Sequence, residues 1–265
     1  MKYIRTLIWI GGLAVLALAF GFIFRIPLAL GIWPWEDGRY SYLFAGSILA
    51  AVSAAMFWIG WTGELGALPA GSLNIFVIGL TTSIYLFNLA SQGRSEMLLF
   101  GLISALIALT SGAAFLWSRR LPLMDLRPTP VPVRVSFGIF VVALVLAGGA
   151  LILRTPIFPW ELNPDSSIVF GCIFVGDAFY FLYGLLRPRW GNAAGQLLSF
   201  LAYDLVLIVP FVLLSDTVQP ERMFNLMVYI AVLVYSGGLA IYYLLIHPQT
   251  RFGAYGTTNP PQFKV

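Results

Sequence analysis

Charged residues are scarce in this chain. Asp, Glu, Lys and Arg make up 10% of its 265 residues, against roughly 25% in an ordinary soluble domain. A single cysteine, Cys172, excludes an intramolecular disulfide and reads as a small buried hydrophobe. A single histidine, His247, excludes bis-histidine haem ligation and every multi-histidine metal site. Signatures for phosphate loops, dinucleotide binding, zinc proteases, C-x-x-C redox sites and serine nucleophile elbows are all missing. No metal or other cofactor is implied, and a non-enzymatic chain is expected.

What remains is apolar. Hydrophobic residues make up 60% of the chain and aromatics 15%, with a mean hydropathy of +0.89. A soluble fold of this length cannot hide so much apolar surface, whereas lipid tails solvate it. The net charge of +4 does not point to nucleic acid, because the basic residues gather in loops, where membrane topology explains them. The lipid bilayer is therefore the first expected partner, and an all-α integral membrane protein the expected fold class.

A crossing helix needs about 20 predominantly apolar residues. Charges and Pro/Gly clusters divide the chain into eight such runs: Leu7 to Phe24, Tyr42 to Trp61, Gly71 to Leu89, Met97 to Trp117, Val135 to Leu153, Ser167 to Leu186, Ala193 to Leu214 and Met223 to Ile246. The first run reads as a helix rather than a cleaved leader, because Phe24-Arg25-Ile26-Pro27 lacks a small-residue cleavage site.

Cytoplasmic loops carry an excess of Lys and Arg. With the N-terminus inside, the inner segments hold Lys2, Arg5, Arg119, Arg120, Arg127, Arg134, Arg187, Arg189, Arg251 and Lys264. The outer loops hold the smaller set Arg25, Arg39, Arg94, Arg154 and Arg222. This predicts a plasma-membrane protein with both termini cytoplasmic. Trp33, Trp35, Trp61, Trp117, Trp160 and Trp190 lie at or near span ends. They read as interfacial anchors, with ligand stacking as the alternative.

The chain also repeats itself. Arg25-Ile26-Pro27 followed by Pro34-Trp35-Glu36 matches Arg154-Thr155-Pro156 followed by Pro159-Trp160-Glu161, with Gly46 and Gly171 at equal distances beyond. Further on, Gly71-Ser72-Leu73 matches Gly195-Gln196-Leu197. An even number of crossings per copy gives both copies the same polarity, so two parallel four-helix repeats are expected. They would span residues 1–117 and 135–248, joined by an extended Pro/Arg-rich connector, 118–134, and followed by a flexible tail, 249–265. Within the motif, proline stops a helix, tryptophan anchors, and glutamate sits near the next helix N-terminus, where the dipole favours it. Arg25 or Arg154 would pair with Glu36 or Glu161. The alternative is an outer-face binding site built by both loops. Tandem units with a Pro-Trp turn between hydrophobic helices resemble a group of bacterial polytopic membrane proteins itself without an assigned activity. The resemblance implies a fold and no chemistry.

Small residues at four-residue spacing mark helix-packing faces: Gly46, Ala50 and Ala54 beside Ser47, Ala51 and Ala55; Ser104, Ala108 and Gly112; Ala17 and Gly21; Ser236 and Ala240. The candidate functional residues are two acids near mid-span, Asp177 and Asp204. A charge there costs about 3 kcal/mol on insertion scales, and no Lys, Arg or His lies within an expected span to offset it. The acids are therefore protonated and hydrogen-bonded, share a proton, or bind a cation or line a wet cavity. Their spans are consecutive, so a hairpin would place the carboxyls face to face. Tyr180, Tyr203, Asn74, Thr81, Thr82 and Ser83 are candidate partners. So is the Val206 carbonyl, freed by Pro210.

Two functions remain open. The first is an accessory or scaffold protein that packs against membrane subunits, lipids or further copies of itself. The second is a proton- or cation-linked small-molecule transporter using Asp177 and Asp204. Intramembrane acid–base catalysis is a distant third, since nothing names a substrate.

Overall fold

The computed structural model describes residues 2–252. Eight helices among them are long and apolar enough to cross a membrane, and no strand occurs in the described residues. They are α1 (Lys2–Ile23), α3 (Arg39–Thr62), α4 (Leu68–Ser91), α5 (Met97–Ser118), α6 (Val131–Ile152), α7 (Pro164–Leu186), α8 (Trp190–Leu214) and α9 (Pro220–Ile241). A short α2 (Pro27–Leu30) follows α1. A 3-10 turn, Leu65–Ala67, leads into α4, and a π turn, Tyr242–Ile246, extends α9. The chain is thus a multi-pass membrane protein by length and composition of its helices.

Most helices outrun the apolar stretch that marks them. α1, α3, α6, α7 and α8 each begin three to five residues before the first residue expected, because hydropathy marks the hydrocarbon layer while the helix continues into the interface. Proline and glycine set the true ends. α6, α7 and α9 each carry proline in the first turn, where its missing N–H has no intrahelical partner to lose. Residues 131–134, expected in the connector, are therefore helical.

α1 ends in an unusual cap. Arg25 is left-handed (φ 54°), and the Ile26 N–H reaches back 2.8 Å to Gly21 O. α6 ends the same way, with Arg154 at φ 59° and the Thr155 N–H 2.8 Å from Ala150 O. This is the Schellman arrangement, normally built on glycine. The loop after α1 contains four more residues before its Pro-Trp than the loop after α6, and α2 takes up that excess.

Helices pair along the chain: α1 with α3, α4 with α5, α6 with α7, α8 with α9. Two further contacts join the halves, α3 with α8 and α4 with α7. The inner helices are thus α3, α4, α7 and α8, while α5 is the most exposed crossing. The expected side-by-side hairpin of α7 and α8 does not form: the two meet only towards the loop that joins them, where Gln196 fits against Gly184 and donates to Tyr180 O. Two close-approach glycines hold other faces of α7. A Cβ on Gly171 would stand 2.7 Å from Gly148 O of α6, and one on Gly176 would stand 3.0 Å from Asn74 O of α4. Those contacts hold α7 along α6 and α4, while the extended Arg189 starts α8 in a new direction. The small-residue faces work within the chain: Gly46 meets Ala19 O and Ile23 of α1, and Gly79 meets Ser104 O and Ala108 of α5.

The connector is extended but firmly docked. Glu64, in the turn between α3 and α4, accepts the Met124 and Asp125 N–H groups at 2.7 and 2.8 Å. Asp125 pairs with Arg127 at 2.6 Å, and the Trp190 N–H donates to Arg127 O. Arg5 of α1 donates to Gly60 O and Trp61 O at the end of α3, placing a cation on the negative helix terminus. Part of the expected flexible tail is docked too. The Thr250 hydroxyl donates to Tyr243 O, and Phe252 packs 5.5 Å from Trp58. Residues 253–265 lie outside the described residues.

A methyl group at Gly171 would collide with backbone that cannot retreat. Gly171→Ala should cost about 1–3 kcal/mol of overpacking and lower the thermal unfolding midpoint in detergent. Gly71→Ala, in open space, should leave it unchanged.

Candidate functional site

Asp177 lies on α7 beside Gly176, whose lack of a side chain lets α4 approach. The Asn74 amide donates to Asp177 Oδ1 at 2.8 Å, bridging the two halves in mid-span. Asp204 lies against α9. It is 4% exposed, and the Ser236 hydroxyl of α9 lies 3.0 Å from its Oδ1. The same hydroxyl is 2.7 Å from Val232 O. Ser236 has one proton, so both contacts are hydrogen bonds only if Asp204 supplies a second. Among the described residues no hydrogen bond joins the two carboxyls, and the expected face-to-face pair is corrected to two separate contacts.

The tyrosines are engaged elsewhere. Tyr180 OH lies 3.4 Å from Ser199 Oγ, and Tyr203 OH meets Tyr229 OH. Neither bonds the acid beside it. The four candidates Asp177, Asp204, Tyr180 and Tyr203 therefore sit in four different pairs. Of the other polar candidates only Asn74 joins an acid; the Thr81 and Ser83 hydroxyls turn back to their own helix carbonyls. Tyr229, Ser199 and Gln196 are participants that reading the sequence missed; Gln196 donates to Tyr180 O. A signal existed: Asn192, Gln196, Ser199 and Tyr203 follow one another at helical spacing on one face of α8. Among the described residues, three buried oxygens in this region, Asn74 Oδ1, Asp204 Oδ2 and Gln196 Oε1, have no hydrogen-bond partner.

The repeated loops form a second polar cluster at the opposite face from the connector. Trp160 is buried, and its Nε1 donates 3.0 Å to Ser41 Oγ of the other half. Trp33 Nε1 reciprocates, donating to Asp37 Oδ2 at 2.8 Å and to Ser166 Oγ at 3.3 Å. Trp35 and Trp190 are also buried. The anchoring expectation is therefore corrected for Trp35, Trp160 and Trp190, which pack against protein; Trp61 and Trp117 remain exposed at helix ends.

The expected ion pairs inside the motif do not form. Arg154 pairs with Asp165 at 3.6 Å, and Glu161 with Arg222 at 3.4 Å. Arg25 and Glu36 are exposed and in no ion pair among the described residues. Their loop uses Asp37 instead, which accepts the Asn163 N–H at 3.2 Å and the Ser166 hydroxyl. Asp165 accepts from Tyr85 OH at 2.6 Å and Arg94 at 2.5 Å. That bond holds the Arg94 guanidinium above its ordinary pKa. Asp165 was legible as a helix-start acid: Asn163 caps α7 by accepting the Asp165 N–H, and Pro164 follows the cap. Its partners were not.

No family model, curated protein or solved structure matches the chain.

An interhelical hydrogen bond in a membrane averages about 0.6 kcal/mol and reaches about 1.7. Asp177→Leu strands the Asn74 amide and should lower the thermal midpoint in detergent. Asp177→Asn keeps an acceptor for it and should not.

Proposed function

We propose that the chain is a non-enzymatic scaffold or accessory protein of the plasma membrane. The supporting observation is that each mid-span candidate side chain bonds a neighbouring helix. Polar groups used this way act as interhelical adhesive. The peripheral helices α1, α5, α6 and α9 then present broad apolar faces to lipid or to membrane partners.

The proposal includes two parallel four-helix repeats with cytoplasmic termini. Matching caps at Arg25 and Arg154, matching close contacts at Gly46 and Gly171, and the reciprocal pairing of α3 with α8 and α4 with α7 support the repeat. The arginines around the connector support the orientation. Because Cys172 is buried and the sole cysteine, single reporter cysteines can test it. A membrane-impermeant maleimide applied to intact cells should label Leu28→Cys and spare Met124→Cys, both exposed positions. The reverse pattern inverts the orientation.

A second reading is proton- or cation-linked transport through Asp177 and Asp204, favoured by the unpartnered Asn74 Oδ1 and Asp204 Oδ2. The Asp177→Asn/Asp204→Asn double variant separates the two. A scaffold should co-purify the same partners in mild detergent with and without these substitutions. Proton flux into proteoliposomes that disappears in the variant would favour transport. Extraction that brings down no partner at all would sink the scaffold.

A further inference from the structure

The pairs α1–α3 and α6–α7 differ at one place. Matching positions stand 129 apart in α1 and α6, as Arg25 and Arg154 do, and 125 apart in α3 and α7, as Gly46 and Gly171 do. Arg5 therefore matches Arg134, Trp9 matches Gly138, and Gly60 matches Leu185.

In α1–α3 these positions are filled. Arg5 is held by Gly60 O and Trp61 O. The Trp9 indole lies over Gly60, where a Cβ would meet Trp9 Cδ1 at 2.8 Å, and its ring is 4.9 Å from Phe57. In α6–α7 the indole is gone. A Cβ on Gly138 would meet only Leu185 Cδ2, at 4.0 Å. Arg134 is exposed and bonds neither a helix-end carbonyl nor an acid among the described residues. Arg187, two residues beyond Leu185, is likewise exposed and outside every ion pair. Here a shallow, open groove of about 550 Å³ runs along the exposed face of α6, lined by Val135, Gly138, Ile139, Val142, Ala143 and Leu146.

The length of this apolar groove and the two arginines beyond its end point to its occupant. From Val135 to Leu146 a helix rises roughly 16 Å at about 1.5 Å per residue, which is half of a hydrocarbon core of about 30 Å. The groove thus spans one leaflet, with two unpaired guanidinium groups at its interfacial end. Basic residues at the end of a helix pair suit the phosphate of an anionic lipid. We propose that the α6 groove, with Arg134 and Arg187, is a binding site for an anionic phospholipid, one acyl chain lying over Gly138 and the phosphate between the two arginines. The proposal rests on the chain lying in a bilayer and is independent of the scaffold and transport readings.

The test uses the purified, delipidated full chain in detergent and counts retained lipid by native mass spectrometry. Dioleoyl phosphatidylglycerol is the probe and dioleoyl phosphatidylcholine the comparison. Wild-type protein should retain one phosphatidylglycerol roughly tenfold more tightly than phosphatidylcholine, the order expected of charges at a lipid surface. Gly138→Trp, which installs the residue found at the matching position, should displace the lipid. Arg134→Gln/Arg187→Gln should erase the preference for the anionic headgroup. Arg119→Gln/Arg120→Gln, at the end of α5, should retain it. Thermal midpoints identify any variant that fails to fold, and the arginine variant carries the test if Gly138→Trp does. Equal retention of both lipids by wild type, or undiminished retention in a folded Gly138→Trp or arginine variant, overturns the site.

Discussion

The close crossing of α4 over α7 is the contact on which the arrangement depends. Gly176 lets the Asn74 backbone come within van der Waals distance, and the Asn74 amide then reaches Asp177. Lipid provides no hydrophobic force to drive two helices together, so backbone proximity and a hydrogen bond must do so. On the other side of the bundle the contact between α3 and α8 has the same standing, with Trp58 laid against Gly195. Each half contributes one inner helix to each contact, so neither half closes a core by itself.

The polar groups follow from that constraint. One interhelical hydrogen bond contributes little, about 0.6 kcal/mol on average, but several are distributed along the same crossings. Trp160–Ser41, Trp33–Ser166 and Tyr85–Asp165 join the halves at the Pro-Trp face, Asn74–Asp177 joins them in mid-span, and Glu64 holds the connector at the opposite face. Tandem placement of these bonds at three depths prevents the halves from sliding past one another. The two arginines in left-handed caps fit the same logic. Glycine would suit both turns better, yet Arg154 uses its position to reach Asp165.

Much of this was legible before the structure. The span count, the all-helical class and the importance of small residues at Gly46, Ala108 and Ser236 follow from hydropathy and spacing alone. The partners of individual polar residues were not legible. Asp37 and Asp165, rather than Glu36 and Glu161, carry the hydrogen bonds from the repeated loops to the opposite half, because a turn of a few residues decides which acid points inward. Tyr180 lies one turn from Asp177 and Tyr203 adjoins Asp204, yet each hydroxyl meets another hydroxyl across a helix contact instead of the acid.

By itself the sequence determined the all-helical class and the eight helices long and apolar enough to cross a bilayer, because only a helix satisfies its own backbone where water is absent and each crossing must fill the same thickness. Which helices neighbour one another was decided by tertiary structure alone. α7 lies along α6 and α4 and meets α8 mainly where Gln196 fits against Gly184, because close approach at the glycines of its surface, which no loop length reveals, decides its neighbours.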